Sequence, residues 1–415
     1  MTPTTLAVVL GLLWSLWLIE ALVSVLSVRK LWRSFDREAA NRPERREAYR
    51  PPATVIAPFK GVEPDLPAAL DVLCTQDYPE YELICVVDSE DDPAAEVIRA
   101  AFERHPDRPA RLLVSGPAED QSQKIHNQLY AIRQLEPEAD PEAVWAFADS
   151  DAVPDRDWLA SLVGPLEHRH NGMTTGYRWL VPDVQTPSRF WSSIASVINS
   201  SVACSYRQYR YSQAWGGAMA LRVETAREGD LAGWLEGALT DDYQFTRMCR
   251  ALDQRVYFVP RALVATPVTF DRPGFWRFAR RQYMITRVYN FRLWLTALGL
   301  LVSWLMALAS VVGVMIAVGM GHLSTAWAAA AGGVALAVAV MNQLRSMYRR
   351  RVIVRAFGRE MLESLTTTLR LDRWVTPLWM AIHAAIVLSS AVGKTVRWRG
   401  MAYRVEGPQT VERVA

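Results

Sequence analysis

The apolar residues of the chain are concentrated near its two ends. Residues 5–28 form an apolar stretch in which Glu20 is the single charged residue, and its length suffices for a helix across a bilayer, which needs roughly 20 residues. The stretch lacks the basic start and small-residue cleavage site of a secretory signal, so we predict a retained N-terminal anchor within residues 1–30. Glu20 is expected to face other helices; the alternative is that it contacts a bound lipid headgroup.

Further apolar stretches lie near the other end of the chain. Residues 293–319 and 323–343 predict two more membrane spans, and residues 374–393 form a fourth candidate. Pro377 and the modest length of this last segment leave a re-entrant or interfacial helix as the alternative.

Basic residues flank the predicted spans. The segment 29–50 is basic, and an arginine-rich run, "RSMYRRRVIVRAFGRE", opens the predicted loop 345–373. The positive-inside rule puts both segments on the cytoplasmic side, so the middle of the chain, 50–290, is predicted to be a cytoplasmic domain. The remainder divides into membrane helices over 291–400 and a tail over 401–415. Four spans would leave the basic "KTVRWRGMAYR" outside, which conflicts with the same rule.

The middle of the chain alternates between short apolar runs and amphipathic stretches. Predicted strands are "ATVIAPFKG", "ELICVVDSEDDP", "ARLLVSG" and "AVWAFADSD", and helical patterns separate them, as in "PDLPAALDVLCTQ" and "QSQKIHNQLYAIRQL". This alternation predicts an α/β domain with a mostly parallel sheet covered by helices on both faces. Ligands of such sheets bind at the carboxyl ends of the strands.

Acidic residues end two of these predicted strands. Asp88 follows one strand, and Asp149 and Asp151 follow another. Residues two apart on a strand point to the same face, so the last two carboxylates would repel each other unless a cation lies between them. Mg²⁺ and Mn²⁺ prefer oxygen ligands and often bridge carboxylates to substrate phosphates. The pattern predicts a nucleotide-diphosphate site with Asp149 and Asp151 as metal ligands; the alternative is a polar turn with a helix cap.

Composition narrows the possible partners. The formal net charge is +3, and the basic residues cluster beside the predicted membrane spans, where anionic headgroups attract them. Nothing in this distribution indicates nucleic acid, and no signal sets an oligomeric state. The cysteines lack metal-ligand spacing and are predicted to be reduced, buried thiols; they are Cys74, Cys85, Cys204 and Cys249.

Several motifs occur together in a recognisable order. They are "PFKGVEPDLPAAL", "QDYPEYELICVVDSEDDPA", "KIHNQL", "FADSDAVPD", "TDDYQFTR" and "RFARRQY". In this order the chain resembles the membrane-bound, inverting glycosyltransferases of families 2 and 21, above all the ceramide glucosyltransferase branch and its bacterial relatives. The resemblance covers residues 55–290 and the flanking membrane segments. It implies a GT-A-type nucleotide-sugar-binding domain with α-helical transmembrane segments at both ends.

The resemblance also implies roles for the acidic residues. Asp88 matches the aspartate that contacts the uracil of a UDP-sugar. Asp149 and Asp151 match the D-x-D element, which holds the sugar diphosphate with Mg²⁺ or Mn²⁺. Asp242 matches the catalytic base, and Asp241 the neighbouring acidic position on the acceptor side. The alternative for this last pair is a cap at a helix start.

Lysine, asparagine and glycine residues are matched in the same way. Lys124 and Asn127 match a segment that lines the donor site, and Gly216 and Gly217 match a segment near the donor sugar and acceptor. Two glycines permit close backbone approach to a ligand, although an ordinary turn would use them equally well.

The arginine-rich motif departs from the family pattern. The family usually shows Arg/Gln-x-x-Arg-Trp, and here Arg277 and Arg280 have the arginine spacing while Arg281 stands where the tryptophan belongs. In the other register Arg281 takes the second arginine position and Gln282 the tryptophan position. Arg280 and Arg281 are expected on the leaving phosphates and Gln282 on the acceptor side. The missing tryptophan means that ceramide cannot be assumed as the acceptor.

The combined prediction is an inverting, metal-dependent glycosyltransferase in a membrane. It would move a hexose, with glucose expected, from a UDP-sugar to a lipid hydroxyl such as that of ceramide or diacylglycerol, at the cytoplasmic face of a bacterial inner membrane. Two alternatives stay open. A processive polysaccharide synthase shares the same core, and a membrane-tethered protein could bind nucleotide sugars without the chemistry.

Overall fold

The computed structural model describes residues 2–40, 49–63, 65–183, 189–206, 212–398 and 400–414. The chain divides into two compact units, each built from three separate segments. The helical unit comprises Met1–Ser34, Leu180–Ser205 and Pro267–Val392. The sheet unit comprises Phe35–Trp179, Tyr206–Thr266 and Gly393–Ala415.

The main sheet has seven strands. They are β1 (Ala53–Pro58), β2 (Tyr81–Val87), β3 (Ala110–Val114), β4 (Val144–Ala148), β5 (Asn171–Pro182), β6 (Ala218–Arg222) and β7 (Arg255–Val268). Their spatial order is β3-β2-β1-β4-β6-β5-β7. The first four strands in this order are parallel, whereas β6 runs antiparallel to both β4 and β5. The predicted α/β class with a mostly parallel sheet is confirmed; the sequence patterns did not indicate β5 and β7.

Fifteen α-helices occur in the described residues. In chain order they are α1 (Pro3–Ala40), α2 (Leu66–Cys74), α3 (Pro93–Arg104), α4 (Gln123–Leu135), α5 (Trp158–Val163), α6 (Phe190–Ala203), α7 (Val223–Glu228), α8 (Leu231–Leu235), α9 (Asp241–Ala251), α10 (Arg272–Tyr289), α11 (Phe291–Gly319), α12 (Thr325–Phe357), α13 (Met361–Ser364), α14 (Thr366–Trp374) and α15 (Thr376–Ser389). A 3₁₀ turn, Gly164–Glu167, follows α5.

Alternating side chains of the central strands fill two cores. On one face of β1, Val55 packs in a cluster with Leu70 of α2 and Ile98 of α3. On the other face, Ile56 packs in a second cluster with Leu129 of α4. Because successive strand residues point to opposite faces, a run of apolar residues such as β1 is stable only when both faces are covered. The helices on both faces meet this condition.

Three helices of the helical unit are long and apolar enough to cross a membrane. They include Thr4–Asp36, Phe291–Gly319 and Thr325–Phe357. Polar side chains in them are paired between helices: the Ser303 hydroxyl donates to Glu20 at 2.6 Å, and the Trp14 indole N–H donates to the Ser310 hydroxyl at 2.9 Å. Glu20 therefore faces a neighbouring helix, the first of its two predicted environments.

The fourth apolar segment is shorter than a span requires. Helix α15 has 14 residues and begins beside Pro377, whereas a helix across the hydrocarbon core needs about 20. Among the described residues, three helices are therefore long enough to span, and α15 has the short length expected of the re-entrant or interfacial alternative.

The segment predicted as a basic loop, 345–373, is helical. Helix α12 continues through the arginine-rich run to Phe357, and α13 and α14 follow it. Arginine is a good helix former, and Arg345 and Arg349, one turn apart, both lie 2.8 Å from the buried Asp372 carboxylate on α14. These buried contacts join α12 to α14.

The segment predicted as a tail forms a second sheet. Strands β8 (Thr395–Trp398), β9 (Met401–Gly407) and β10 (Thr410–Arg413) pair antiparallel in the order β10-β9-β8. This C-terminal sheet belongs to the sheet unit. The Gln409 side-chain amide donates to the backbone carbonyls of Gly233 and Glu236 at 2.6 and 3.1 Å. The described part of the segment named as a tail, 401–415, therefore contains two strands of a folded sheet.

Candidate active site

The carboxyl ends of the parallel strands bring the predicted acidic residues to one edge of the sheet. Parallel pairing joins β1 to both β2 and β4, so the residues that follow these strands share this edge. Lys60 follows β1, Asp88 follows β2, and Asp149 follows β4. This is the edge at which open α/β sheets bind ligands.

Lys124 lies between two of the carboxylates. From the first turn of α4, its ammonium nitrogen is 2.6 Å from Asp149 Oδ1 and 2.8 Å from Asp241 Oδ2. The Lys124 side chain is 12% exposed and that of Asp241 2%. Burial acts to lower the pKa of Lys124, but the two carboxylates raise it well above its usual value. Lys124 therefore supplies a positive charge between Asp149 and Asp241 at this acidic edge.

Asp241 is held as a fixed anion. Besides Lys124, the Gln128 side-chain amide donates to its Oδ2 at 2.8 Å, and the Asp242 backbone N–H donates to its Oδ1 at 2.9 Å. Burial acts to raise the pKa of Asp241, but Lys124, Gln128 and the Asp242 N–H together hold it below its usual value. With both oxygens engaged, Asp241 is suited to orient its neighbours.

Asp242 has the properties expected of a general base. It is half-buried in the first turn of α9, and its Oδ1 accepts hydrogen bonds from the Thr240 hydroxyl and the Tyr243 backbone N–H, both at 2.7 Å. Burial and the nearby charge of Asp241 raise the pKa of Asp242 to about 6. A carboxylate with a pKa just below neutrality is largely ionised at pH 7 and is a better proton acceptor than an ordinary aspartate. Both acids also lie in the first turn of α9, where the helix dipole favours them.

The pKa of Asp149 is set by burial and by three neighbouring charges, of which only Lys124 acts against burial. Burial raises the pKa of Asp149, Lys124 opposes this rise, and Asp151 and Asp241 add to it. Asp151 therefore acts on Asp149 electrostatically from two residues away, but both residues lie beyond the end of β4, where the chain turns, and not on one face of a strand as expected from the sequence. Asp151 itself is half-buried.

Gly216 and Gly217 lie against this charged cluster. A Cβ atom on Gly216 would be 2.4 Å from Asp241 Oδ1 and 2.6 Å from the Lys124 ammonium nitrogen. A Cβ atom on Gly217 would be 2.9 Å from Asp149 Oδ2 and 2.4 Å from the ring of Trp215. The two glycines thus allow the backbone before β6 to approach the carboxylates, and close approach to a ligand stays a prediction.

We expect Gly216→Ala to displace the Lys124–Asp241 pair and lower the transfer activity predicted from the sequence by roughly 100-fold, the cost of an ångström-scale misplacement in an active site. Gly164→Ala is the matched control, because a Cβ atom there meets no atom within 4 Å. Steady-state rates of the two purified variants test this expectation. Equal activity in both variants would show that the close approach at Gly216 has no role in transfer.

A second charged cluster surrounds Asp88. The Lys60 ammonium contacts Asp88 and lies 3.2 Å from Asp92 Oδ2, while the Gly61 backbone N–H donates to Asp92 Oδ1 at 2.9 Å. Asp88 Oδ1 is buried and has no hydrogen-bond partner among the described residues. An unpartnered buried carboxylate oxygen is a ready acceptor for a ligand N–H. Sequence reasoning did not select Lys60, although its position directly after β1 was a usable signal.

The Asn127 side chain is buried and hydrogen-bonded within the protein. It is 1% exposed, and its amide nitrogen donates to the Val86 carbonyl at 3.1 Å. Its oxygen accepts from the Ser115 hydroxyl and the Gln123 side chain, both at 2.8 Å. In this structure Asn127 joins α4 to the ends of β2 and β3, and direct contact with a donor stays a prediction.

The arginine-rich motif lies on α10 in the helical unit. The Arg280 guanidinium donates to the backbone carbonyls of Ser389 and Val392 at 3.1 and 2.6 Å, at the carboxyl end of α15. Arg281 lies over the ring of Phe278, 5.7 Å from its centroid. The expected roles of Arg280, Arg281 and Gln282 at the phosphates and acceptor stay predictions.

The residues available for a metal are few. Within the described ranges, no group of three or more His, Cys, Asp or Glu side chains is placed to hold an ion. Asp149 keeps only one oxygen clear of Lys124, and Asp151 adds a second carboxylate nearby. Mg²⁺ commonly binds through one or two carboxylates with substrate phosphates and water. The residues therefore fit a metal brought with a diphosphate and do not form an all-protein metal cage.

Comparison with known proteins gives one extensive match and several short ones. Residues 12–411 match the profile described as "Glycosyl transferase family 21". The ceramide glucosyltransferase of Komagataella phaffii is 38% identical over 60 residues, covering 14% of this chain and 12% of the relative. Ceramide glucosyltransferase 1 of Caenorhabditis elegans is 32% identical over 83 residues, covering 20% and 18%. The chain thus aligns with less than a fifth of either curated relative.

Among solved structures, the fold is similar to that of a mannosyltransferase, PcManGT from Pyrobaculum calidifontis, in complex with GDP-Man and Mn²⁺. The similarity covers 88% of this chain and 99% of the other, at 18% identity and a TM-score of 0.46.

Proposed function

The chain belongs to glycosyl transferase family 21, and from this premise we propose that it transfers a hexose, with glucose expected, from a UDP-sugar to a hydroxyl group of a membrane lipid, with inversion at the anomeric carbon. The observation that carries the proposal is the pairing of Asp242, whose pKa is raised to about 6, with the fixed anion Asp241 at the ligand edge of the sheet. Ceramide and diacylglycerol are the expected classes of acceptor.

In the proposed reaction, Asp242 removes the proton of the acceptor hydroxyl. The oxygen attacks the anomeric carbon from the side opposite the diphosphate, a carbon–oxygen bond forms, and the bond from that carbon to the diphosphate oxygen breaks. The electron pair of the broken bond leaves with the diphosphate, and the proton stays on Asp242. Asp241 keeps its charge because Lys124 and Gln128 are bound to it, and this charge favours protonation of Asp242 as the reaction proceeds.

The leaving diphosphate requires positive charge. Lys124 supplies one charge at the edge where Asp149 lies. A divalent Mg²⁺ or Mn²⁺ ion held by Asp149 and Asp151 would supply the remainder when bound. Asp88, with its buried unpartnered oxygen, is proposed to accept an N–H of the uracil, and Arg280 and Arg281 are proposed to act on the phosphates.

The helices of membrane-spanning size support a lipid acceptor. Three such helices are covalently joined to the sheet unit, and in a membrane they would tether that unit to it. An amphiphile could present its hydroxyl group without leaving the leaflet. We propose the cytoplasmic face of a bacterial inner membrane, because arginines concentrate beside the predicted spans.

The proposal is tested by sugar transfer with the purified full-length chain. Labelled UDP-sugars are offered one at a time with extracted membrane lipids, with Mg²⁺ or Mn²⁺ and then with a chelator, and Asp242→Asn serves as the inactive control. We expect one labelled lipid whose formation stops on chelation. Label in a growing polymer would identify a polysaccharide synthase instead, and UDP binding without consumption of any donor would identify a binding protein.

A further inference from the structure

The C-terminal sheet holds the loop that precedes α4. Tyr403 on β9 is fully buried, and its hydroxyl accepts a hydrogen bond from the backbone N–H of Gln123 at 3.3 Å. On β10, the Arg413 backbone N–H donates to the Glu119 carbonyl at 3.4 Å. Gln123 is the first residue of α4, where backbone N–H groups have no partner within the helix. The hydroxyl of Tyr403 therefore caps the start of α4, and Lys124 is the second residue of that helix.

The Gln123 side chain also makes hydrogen bonds to the loop before α4 and to α4 itself. Its side-chain oxygen accepts from the Ala118 backbone N–H at 2.8 Å. Its side-chain nitrogen donates to the Gly116 carbonyl at 2.9 Å and to Asn127 Oδ1 at 2.8 Å. A change in the backbone position of Gln123 would thus alter the whole turn between β3 and α4.

The Tyr403 hydroxyl also lies in the electrostatic field of the Asp88 cluster. Burial raises the pKa of Tyr403, the Gln123 N–H lowers it, and Asp88 and Lys60 act on it with opposite signs. The hydroxyl donates in turn to the Met401 sulfur at 3.2 Å. Tyr403 is therefore near the carboxylate proposed for the uracil as well as the helix that carries Lys124.

A second contact joins the C-terminal sheet to α9. The Gln244 side-chain amide donates to the Pro408 carbonyl at 3.4 Å and to the Trp234 carbonyl at 2.6 Å. Gln244 lies on α9 with Asp241 and Asp242. The sheet thus contacts both helices that carry the Lys124–Asp241 pair.

We propose that the C-terminal sheet is a functional part of the donor site and that Tyr403 is a positioning residue, which sets Lys124 through the first turn of α4. This inference rests on the proposed function for the identity of the donor. It assigns β8–β10, far from the other site residues along the chain, to the binding of the nucleotide diphosphate.

The test compares two tyrosine variants of the full-length chain in lipid nanodiscs. Tyr403→Phe removes the capping hydroxyl. Tyr81→Phe is the matched control, since the buried Tyr81 hydroxyl likewise accepts from a backbone N–H, that of Gln76 at 2.9 Å, and donates to the Leu73 carbonyl at 2.8 Å. UDP affinity is measured by calorimetry, and backbone amide exchange over residues 116–127 by mass spectrometry.

We expect Tyr403→Phe to bind UDP roughly threefold to tenfold more weakly than the parent, as loss of one buried hydrogen bond predicts, and to exchange faster over 116–127. The KM for the donor should rise by the same factor while kcat changes little. Tyr81→Phe should match the parent in UDP affinity and in exchange over this segment. Equal UDP affinity in the two folded variants would overturn the inference.

A second variant covers the case in which Tyr403→Phe does not fold. Gln409→Ala removes only the exposed side chain that ties the C-terminal sheet to Gly233 and Glu236, and it should weaken UDP binding about threefold, near the lower end of the range for one hydrogen bond. Unchanged affinity in this variant would then count against the inference. If the parent itself binds no UDP, the proposed function fails, and amide exchange over 116–127 still decides whether Tyr403 positions α4.

Discussion

Asp242→Asn is expected to lower sugar transfer by about 10²–10⁴-fold, the contribution of a general base, while UDP binds as in the parent. Asparagine keeps an oxygen that can accept from Thr240 and Tyr243, so the start of α9 should hold its geometry. What the variant loses is the ability to take a proton. Initial rates with labelled donor and calorimetry with UDP measure the two effects separately.

A helix-capping aspartate elsewhere in the sheet unit provides the control. Asp230 caps α8, and its Oδ1 accepts from the Gly233 backbone N–H at 3.2 Å. Asparagine caps helices about as well as aspartate, so Asp230→Asn should transfer sugar at the parental rate. Full activity in Asp242→Asn as well would mean that Asp242 only caps α9 and that another acid is the base.

The pH profile of the parent gives an independent check on Asp242. Its pKa is raised to about 6, and the base must be ionised to act. The rate of transfer should therefore be at its maximum above this pH and should fall as the pH decreases through about 6. A profile that is flat down to pH 5 would exclude Asp242 as the ionising group.

Lys124→Met is expected to destabilise the sheet unit by roughly 3–5 kcal/mol at pH 8, the usual cost of removing one partner from a buried ion pair. Asp149 and Asp241 would then be buried without their shared cation. Transfer should be lost with them, because the positive charge at the leaving diphosphate is lost too. Thermal unfolding of the purified variant and parent measures the change.

The pH dependence of this destabilisation has a definite sign. Without Lys124, the pKa of each carboxyl group rises, and the neutral acids are cheaper to bury than the anions. The deficit in stability should therefore be largest at high pH and shrink as pH falls to about 5. The double variant Lys124→Met/Asp149→Asn should recover part of the loss at pH 8, because one uncompensated charge is removed.

Lys60→Met is the comparison for the lysine variant. Lys60 also bridges two carboxylates, but its side chain is 35% exposed and contributes less to stability, and the buried Asp92 would keep its hydrogen bonds from the Gly61 and Ala94 backbone N–H groups. It should change the melting temperature far less than Lys124→Met. Equal stability of Lys124→Met and the parent at pH 8 would contradict the role given to Lys124.

The strands and helices around the site could be predicted because their signals are local. The apolar run of β1 and the acid at the end of β4 can each be identified within nine residues of sequence, and the parallel arrangement follows from their alternation with helices. The partner of the carboxylates could not be predicted in this way. The sequence favoured a metal between Asp149 and Asp151, which stays a proposal, but it did not show that Lys124 lies between Asp149 and Asp241. That contact joins a strand end to two different helices, and no local pattern contains it.

The C-terminal sheet was overlooked for a related reason. In β9, buried Tyr403 and Val405 alternate with exposed Arg404 and Glu406, which is the period of a half-buried strand. The many arginines nearby favour a position at a membrane surface instead. The alternation was present, but nothing in it shows that the strand packs beside α4.

The capping of α4 by Tyr403 also fixes an order of events during synthesis. The two residues of that hydrogen bond are separated by 280 positions, which a ribosome adding roughly 5–20 residues per second translates in about 15–60 s. Throughout that interval the nascent sheet unit lacks β8–β10, and helices α10–α15 must emerge before these strands exist. If the C-terminal sheet has the role proposed for it, the donor site is complete only after the membrane helices have been made.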